Sequence, residues 1–74
     1  MSEPLVIERR GATAELTLDR PEKRNALSRL LIARLREAVH AASMDDAVRA
    51  LLITGAPPAF CAGLDLDELA AAAA

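Results

Sequence analysis

The sequence predicts a small α/β unit: an N-terminal β-hairpin, one long amphipathic helix, a parallel strand and the start of a second helix. Three observations predict it. An alternating segment ends at a proline, the apolar period then becomes helical, and a nearly continuous apolar run follows. Strand, helix and second strand in this order form a βαβ unit, for which a right-handed crossover is expected. The 74 residues make at most one small domain, whose stability is expected to be marginal.

Two short strands are predicted first. Residues 14–19 alternate between apolar and polar side chains, which is typical of a strand with one buried face. The apolar members are Ala14, Leu16 and Leu18. The segment at 5–10, which begins with three apolar residues, precedes them, and the intervening Gly11-Ala12-Thr13 predicts a hairpin turn. Pro21 ends strand pairing because proline has no N–H to donate.

A helical period begins near Asn25, whose side-chain oxygen is predicted to cap the first turn. One apolar stripe follows the helical spacing: Leu27, Leu31, Leu35, Ala38, Val39 and Ala42. Charged residues fall largely on the remaining surface of the helix. The segment Ser43–Asp46 loosens the pattern and is expected to end the helix.

The segment Val48–Thr54 is nearly all apolar, as in a parallel strand covered on both faces. An uncovered apolar edge would invite association, so poor solubility of the isolated chain is expected. Residues 55–60, with two adjacent prolines, predict a loop. Asp65 and Glu68 have capping-box spacing, in which Asp65 caps a second helix and Glu68 reaches back to the N–H of Asp65. The alanine tract at 70–74 continues that helix.

The composition argues against several classes of function. The net charge is −2 with both signs interspersed, and there is one aromatic residue, unlike a nucleic-acid-binding surface. No apolar run is long enough for a bilayer, and Met1–Pro4 does not resemble a secretory signal, so a cytoplasmic protein is expected. One cysteine and one histidine form neither a disulfide nor a zinc site. Neither a P-loop nor a Rossmann fingerprint is present.

The most informative segment is Ala59–Leu66, with the sequence AFCAGLDL. It places a glycine-containing turn between a predicted buried strand and a capped helix, where ligands tend to bind in α/β sheets. Unpaired N–H groups at a helix start suit an anionic oxygen. Such donors lower a reaction barrier when the charge develops only in the transition state.

Three segments together resemble the crotonase (enoyl-CoA hydratase/isomerase) superfamily: Arg20–Leu27 (RPEKRNAL), Val48–Gly55 (VRALLITG) and Ala59–Leu66. The resemblance covers almost all of the chain from Leu16 to Leu69. It implies the N-terminal portion of the ClpP/crotonase spiral fold. It also implies hydration, isomerisation or related chemistry on an acyl-CoA thioester through a stabilised enolate, as in fatty acid metabolism.

The resemblance further implies site residues. In the family two backbone N–H groups hold the thioester oxygen, and the first corresponds to Leu64. The family's CoA contacts correspond to Arg24, Ala26, Leu27, Ala62, Leu64, Asp65 and Leu66. Coenzyme A thus enters as part of the substrate, with no separate cofactor or metal expected. For Lys23 and Arg24 two roles remain possible: residues of a solvated turn, or contacts to a CoA phosphate.

Several parts of the family pattern have no counterpart in residues 1–74. These are the second donor glycine, the catalytic carboxylates, and the helices that build trimers or dimers of trimers. Pro57-Pro58 also replaces a Gly- and Lys/Arg-containing turn, which would alter the loop path. Three hypotheses remain: a truncated crotonase-like domain that is inactive alone or a non-functional gene fragment, a CoA-binding module or subunit completed by another chain, and a structural piece without a ligand.

Other polar residues have simpler interpretations. Cys61 is interpreted as a packing residue rather than a nucleophile, because no base is identified near it. Asp67 and Glu68 are interpreted as a solvated charge and a cap rather than as paired catalytic carboxylates. His40, on the predicted helix, is interpreted as structural or solvent-facing.

Overall fold

The computed structural model describes residues 3–73, and side chains over residues 3–71. In chain order the elements are β1 (Leu5–Arg10), β2 (Thr13–Leu18), a 3₁₀ turn (Pro21–Lys23), α1 (Arg29–Ser43), β3 (Ala50–Gly55) and α2 (Leu66–Ala73). The three strands form one mixed sheet in the order β1-β2-β3. The predicted α/β class and the order of its elements are confirmed; Ala74, predicted to be helical, lies outside the described residues.

Strand β2 lies at the centre of the sheet and carries its buried face. It pairs antiparallel with β1, from Leu5 opposite Leu18 to Arg10 opposite Thr13, which confirms the hairpin. It pairs parallel with β3, which confirms the βαβ order. The hairpin turn requires Gly11, whose φ of +60° is a conformation that other residues seldom adopt.

The core forms where α1 packs on β1 and β2. Alternation on β2 is confirmed, since its three apolar side chains are at most 4% exposed while Thr13, Glu15 and Thr17 are only partly buried. The buried cluster consists of Leu5, Leu16, Leu18, Leu31 and Ala38, with Leu27, Leu35 and Cys61 packed against it. Each fully buried leucine contributes about 1.5–3 kcal/mol of hydrophobic stabilisation, so this cluster is the main source of stability. The packing interpretation of Cys61 agrees with its position there.

Helix α1 begins three residues later than a cap at Asn25 requires, so that prediction is wrong. The N-cap is Ser28, whose Oγ accepts a hydrogen bond from the amide of Leu31 at 3.1 Å. Arg24 and Asn25 have φ of +52° and +59°, a left-handed conformation that cannot enter a right-handed helix directly. The predicted end is confirmed, because α1 stops at Ser43.

Strand β3 was predicted to be covered on both faces, and in the described residues this is wrong. Leu51, Leu52 and Ile53 are 41–49% exposed. The physical reason is position: β3 lies at the edge of the sheet, and α1 packs mainly on the other two strands. The strand also starts at Ala50 rather than at Val48.

The longest helix, α1, has 15 residues. Within residues 3–73, no helix has both the length and the apolar character that a bilayer span requires.

Candidate functional site

Two loop segments that are far apart in sequence lie side by side and define the candidate site. The amide of Leu27 donates to the carbonyl of Gly63 at 2.6 Å, and the amide of Asp65 donates to the carbonyl of Leu27 at 3.1 Å. These bonds make a parallel bridge between Leu27 and Leu64. The amide of Ala62 also donates to the carbonyl of Arg24 at 3.0 Å. The backbone thus brings together the 24–27 and 62–66 regions.

The amide of Leu64 points away from this bridge. In a parallel bridge of this kind the hydrogen bonds come from the neighbours of the bridged residue, here Gly63 and Asp65, so the N–H of Leu64 is directed to the other side. Among the hydrogen bonds of residues 3–73, none has the Leu64 amide as its donor. The Leu64 side chain is 55% exposed and lines a shallow cavity of about 150 Å³ together with Leu27 and Asp65. The amide is therefore a donor without an acceptor among residues 3–73, beside an open depression.

Asp65 caps α2, as predicted. Its Oδ1 accepts from the amide of Asp67 at 3.0 Å and from that of Glu68 at 3.2 Å. The backbone N–H of Glu68, and then the guanidinium of Arg20, hold the pKa of Asp65 below its usual range, while burial opposes this shift. The carboxylate is thus held in its charged form, although the residue is only 7% exposed.

The other half of the predicted capping box is wrong. Glu68 does not reach back to Asp65; its Oε1 accepts from the amide of Arg29 at 2.9 Å, which is the first residue of α1. The amide of Asp65 already donates to the carbonyl of Leu27. Glu68 therefore caps a neighbouring helix and joins the starts of α1 and α2.

Arg20 is a residue of the site that sequence reasoning missed. Its Nη1 donates to the carbonyl of Ala26 at 2.6 Å, and its Nη2 donates to Oδ2 of Asp65 at 3.0 Å. The two side chains of this ion pair are only 16% and 6% exposed. Arg20 therefore clamps the first segment to the second. No local pattern marks this pair, because 45 positions separate its members.

Asn25 performs a related function toward the loop after β3. Its side chain is completely buried, and its Nδ2 donates to the carbonyls of Ala56 at 2.9 Å and Ala59 at 2.7 Å. Its Oδ1 accepts from the amide of Arg20 at 2.8 Å. Asparagine tolerates the left-handed backbone at this position, so its amide can face the loop. Both amide donors and the oxygen are satisfied by backbone groups.

Gly55 allows the same loop to fold back closely. A Cβ at this position would lie 2.7 Å from Cα of Phe60 and 2.8 Å from the carbonyl oxygen of Ala59. Both contacts are with backbone, which cannot move aside as a flexible side chain can. The sequence identified this position only as part of a loop.

The remaining predicted residues differ in accessibility. Arg24, Ala62 and Leu66 are exposed, Leu27 is partly buried and Ala26 is buried. Lys23 pairs with Asp67 at 3.3 Å on the surface. His40 is exposed on α1, and within residues 3–73 no three His, Cys, Asp or Glu side chains are grouped to hold a metal ion.

The fold and the turn at residues 62–66 are those expected of a chain of the crotonase type, and comparison with known proteins supports this class. The sequence matches the family described as Enoyl-CoA hydratase/isomerase over residues 8–74. It is 39% identical over 69 residues to a probable enoyl-CoA hydratase of Mycobacterium tuberculosis, covering 93% of this chain and 27% of that protein. It is 41% identical over 70 residues to the 2,3-dehydroadipyl-CoA hydratase of Escherichia coli, covering 95% of this chain and 27% of that enzyme.

Solved structures show the same relationship. A Pseudomonas aeruginosa protein matches with a TM-score of 0.90 and 41% identity, over 96% of this chain and 30% of that one. The enoyl-CoA hydratase structure from Mycobacterium tuberculosis H37Rv matches with a TM-score of 0.88 and 48% identity, over 90% of this chain and 30% of that one. The chain belongs to the enoyl-CoA hydratase/isomerase family. It spans 27% of the length of the two curated relatives.

Proposed function

We propose that this chain contributes an oxyanion donor and part of the coenzyme A contact surface to an acyl-CoA-binding site. The donor is the backbone N–H of Leu64. The observation that carries the proposal is that this amide has no acceptor within residues 3–73, while the residues on both sides of it are held in a parallel bridge. An N–H group kept in place without a partner is suited to an oxygen supplied by a ligand.

The surrounding hydrogen bonds support such a role because they fix the donor before a ligand arrives. Asp65, next to the donor, is tied to Leu27 through its amide and to Arg20 through its carboxylate. The positive charge of Arg20 offsets that carboxylate, which would otherwise repel a developing oxyanion. In acyl-transfer enzymes the loss of one such donor reduces the rate by about 100- to 1000-fold. A donor that needs no reorganisation stabilises the transition state of enolate formation most effectively.

Coenzyme A would contact residues on both sides of the bridge: Arg24, Ala26, Leu27, Ala62, Asp65 and Leu66. Arg24 is the stronger candidate for a phosphate contact, because its side chain is exposed and forms no ion pair among residues 3–71. Lys23, in contrast, pairs with Asp67. Arginine also binds phosphate through two parallel hydrogen bonds.

We further propose that residues 1–74 do not turn over an acyl-CoA by themselves. The family's second oxyanion donor and its carboxylates have no counterpart in this sequence, and the chain spans 27% of its hydratase relatives. An assay of crotonyl-CoA hydration with the purified chain is expected to give the buffer rate. Turnover clearly above buffer would contradict this expectation.

A matched pair of variants tests the oxyanion donor. Leu64→Pro removes the N–H without breaking a hydrogen bond of residues 3–73, whereas Leu64→Ala keeps the N–H and removes the bulk. Titration of the ¹⁵N-labelled chain with butyryl-CoA is expected to shift the Leu64 amide resonance, and coenzyme A without an acyl group is expected to leave it in place. One neutral hydrogen bond is worth about 0.5–1.5 kcal/mol, so the proline variant should bind butyryl-CoA about two- to tenfold more weakly.

The two controls separate the explanations. The alanine variant should bind butyryl-CoA as the unchanged chain does, and circular dichroism should show that both variants keep their secondary structure. Two results together would exclude Leu64 as the donor: equal affinity of the proline and alanine variants for butyryl-CoA, and a Leu64 amide resonance that butyryl-CoA does not shift.

A further inference from the structure

Two ion pairs join the same two segments of the candidate site, and they differ in burial. Arg20 and Asp65 form the first pair, and their side chains are only 16% and 6% exposed. Lys23 and Asp67 form the second, with Nζ of Lys23 lying 3.3 Å from Oδ2 of Asp67 and side chains that are 47% and 85% exposed. Because water and dissolved salt screen exposed charges, the second pair contributes little to stability.

The two segments do not depend on the exposed pair for their alignment. The parallel bridge between Leu27 and Leu64 joins their backbones, and the buried bond from Arg20 to Asp65 joins their side chains. Breaking the exposed pair therefore leaves every hydrogen bond of the bridge in place. An ion pair with so little structural function is available to exchange one of its members for a ligand.

Both members of the exposed pair are attached to a fixed backbone. The amide of Lys23 donates to the carbonyl of Arg20 at 3.0 Å, and the amide of Asp67 donates to Oδ1 of Asp65 at 3.0 Å. Only the charged ends of the two side chains are therefore free to change partner. Among residues 3–71, neither Lys23 nor Asp67 forms a second ion pair.

Phosphate is a stronger partner for an ammonium group than an exposed carboxylate is. A phosphate monoester carries a charge of about −1.5 to −2 near pH 7, whereas a carboxylate carries a single negative charge. Lysine binds phosphate as a point charge, so rotation of the Lys23 side chain is enough to turn it from Asp67 to a ligand phosphate. Arg24 is exposed and provides a second cation one position along the chain.

We infer that Asp67 is an internal competitor for phosphate. A bound acyl-CoA exchanges the Lys23–Asp67 pair for a pair between Lys23 and a ligand phosphate, and the cost of this exchange lowers the affinity of the chain for phosphorylated thioesters. The inference rests on the proposed coenzyme A contact surface. It differs in sign from a structural role: if Asp67 only stabilised the start of α2, its removal would weaken binding, whereas removal of a competitor strengthens binding.

Calorimetric titration of Asp67→Asn tests the inference, since this variant keeps the side-chain size and the amide bond to Asp65. It should bind butyryl-CoA about 1.5- to 5-fold more tightly than the unchanged chain, the range that an exposed ion pair allows. Butyryl-pantetheine, which has no phosphate, should bind both equally. Asp46→Asn removes the same charge from an exposed turn after α1 and should change neither affinity.

A third ligand identifies the phosphate. Butyryl-dephospho-CoA lacks the 3′-phosphate and keeps the diphosphate. A gain for Asp67→Asn that persists with this ligand assigns the exchange to the diphosphate, and a gain that disappears assigns it to the 3′-phosphate. Either result supports the exchange.

A double-mutant cycle shows whether Lys23 carries the effect. In a Lys23→Gln background, Asp67→Asn should no longer strengthen the binding of butyryl-CoA, and circular dichroism should show that all variants keep their secondary structure. Three results would overturn the inference: equal or weaker binding of butyryl-CoA by Asp67→Asn, the same gain with butyryl-pantetheine, or a gain that persists in the Lys23→Gln background.

The Leu64 amide resonance separates this inference from the proposed function. If butyryl-CoA shifts that resonance but Asp67→Asn does not strengthen binding, only the competitor role of Asp67 is wrong. If Asp67→Asn strengthens binding but the Leu64 resonance does not shift, the competitor role holds and the oxyanion donor is wrong. If the unchanged chain and Asp67→Asn both fail to bind butyryl-CoA, both proposals are wrong.

Discussion

Replacing Asn25 by alanine should destabilise the chain more than any exposed substitution. The side chain is fully buried and makes three hydrogen bonds, to the carbonyls of Ala56 and Ala59 and from the amide of Arg20. At about 0.5–1.5 kcal/mol each, their loss costs about 1.5–4.5 kcal/mol. Alanine in the left-handed conformation adds about 1–2 kcal/mol, because Asn25 has a φ of +59°.

This loss is large compared with the stability available. Small domains have about 0.05–0.15 kcal/mol of unfolding free energy per residue, or about 4–11 kcal/mol for a chain of this size. Urea titration monitored by far-ultraviolet circular dichroism measures the change, since the chain lacks tryptophan and tyrosine for fluorescence. The Asn25→Ala variant is expected to have a much lower urea midpoint or to be largely unfolded without urea.

Asn25→Gly is the matched control, because glycine adopts the left-handed backbone without strain but also lacks the side-chain amide. It should recover about 1 kcal/mol relative to alanine and remain well below the unchanged chain. If the free energy of unfolding of Asn25→Ala lies within about 0.5 kcal/mol of that of the unchanged chain, the reasoning is refuted, since surface substitutions have effects of that size. Equal midpoints for alanine and glycine would refute only the contribution assigned to the backbone conformation.

Two further predictions concern stability at acid pH and the close backbone contact at Gly55. Because the pKa of Asp65 is lowered in the fold from its ordinary value of 3.8, its stabilising effect is present above about pH 4 and is lost as the pH falls through the folded-state pKa. Asp65→Asn should flatten the acid side of a pH–stability curve. Asp45→Asn, at an exposed carboxyl whose pKa is also lowered, should flatten it less. A larger effect of Asp45→Asn than of Asp65→Asn would contradict the role given to Asp65. Gly55→Ala should cost about 3 kcal/mol by overpacking against backbone, the upper end for such changes, whereas Gly11→Ala, with a φ of +60° and open space, should cost about 1–2 kcal/mol. Similar urea midpoints for the two glycine variants would show that the loop at residues 55–60 relaxes freely.

Local patterns were sufficient for the elements themselves. The alternation around Leu16 predicted a half-buried strand, which is confirmed. The helical spacing predicted an apolar stripe that is buried at Leu31 and Ala38, whereas Val39 of the same stripe is 38% exposed and Leu27 precedes α1. Asp65 was predicted to cap α2 because capping involves residues two and three positions away. In each case the physical cause lies within one or two turns of chain, where sequence spacing and spatial distance correspond.

Predictions at the candidate site failed where a polar side chain had more than one possible partner. Asn25 and Glu68 both carry oxygens able to cap a nearby helix start, yet Asn25 binds a loop more than 30 positions away and Glu68 caps the helix 39 positions before it. Burial decides between such partners, because a buried polar group left without a hydrogen bond is costly. Which groups become buried is known only once the chain has folded.

The sequence by itself determined the element order, the hairpin, the apolar face of β2, the buried positions Leu31 and Ala38 of α1, and the family, since these depend on residue types at defined spacings in the sequence. Tertiary structure alone decided that residues 24–27 and 62–65 lie side by side, that Arg20 joins them through Asp65, and that the Leu64 amide is left without an acceptor within residues 3–73. The physical reason is that hydrogen bonds between distant segments are chosen by the packing of the core, which brings those segments together and removes water from between them.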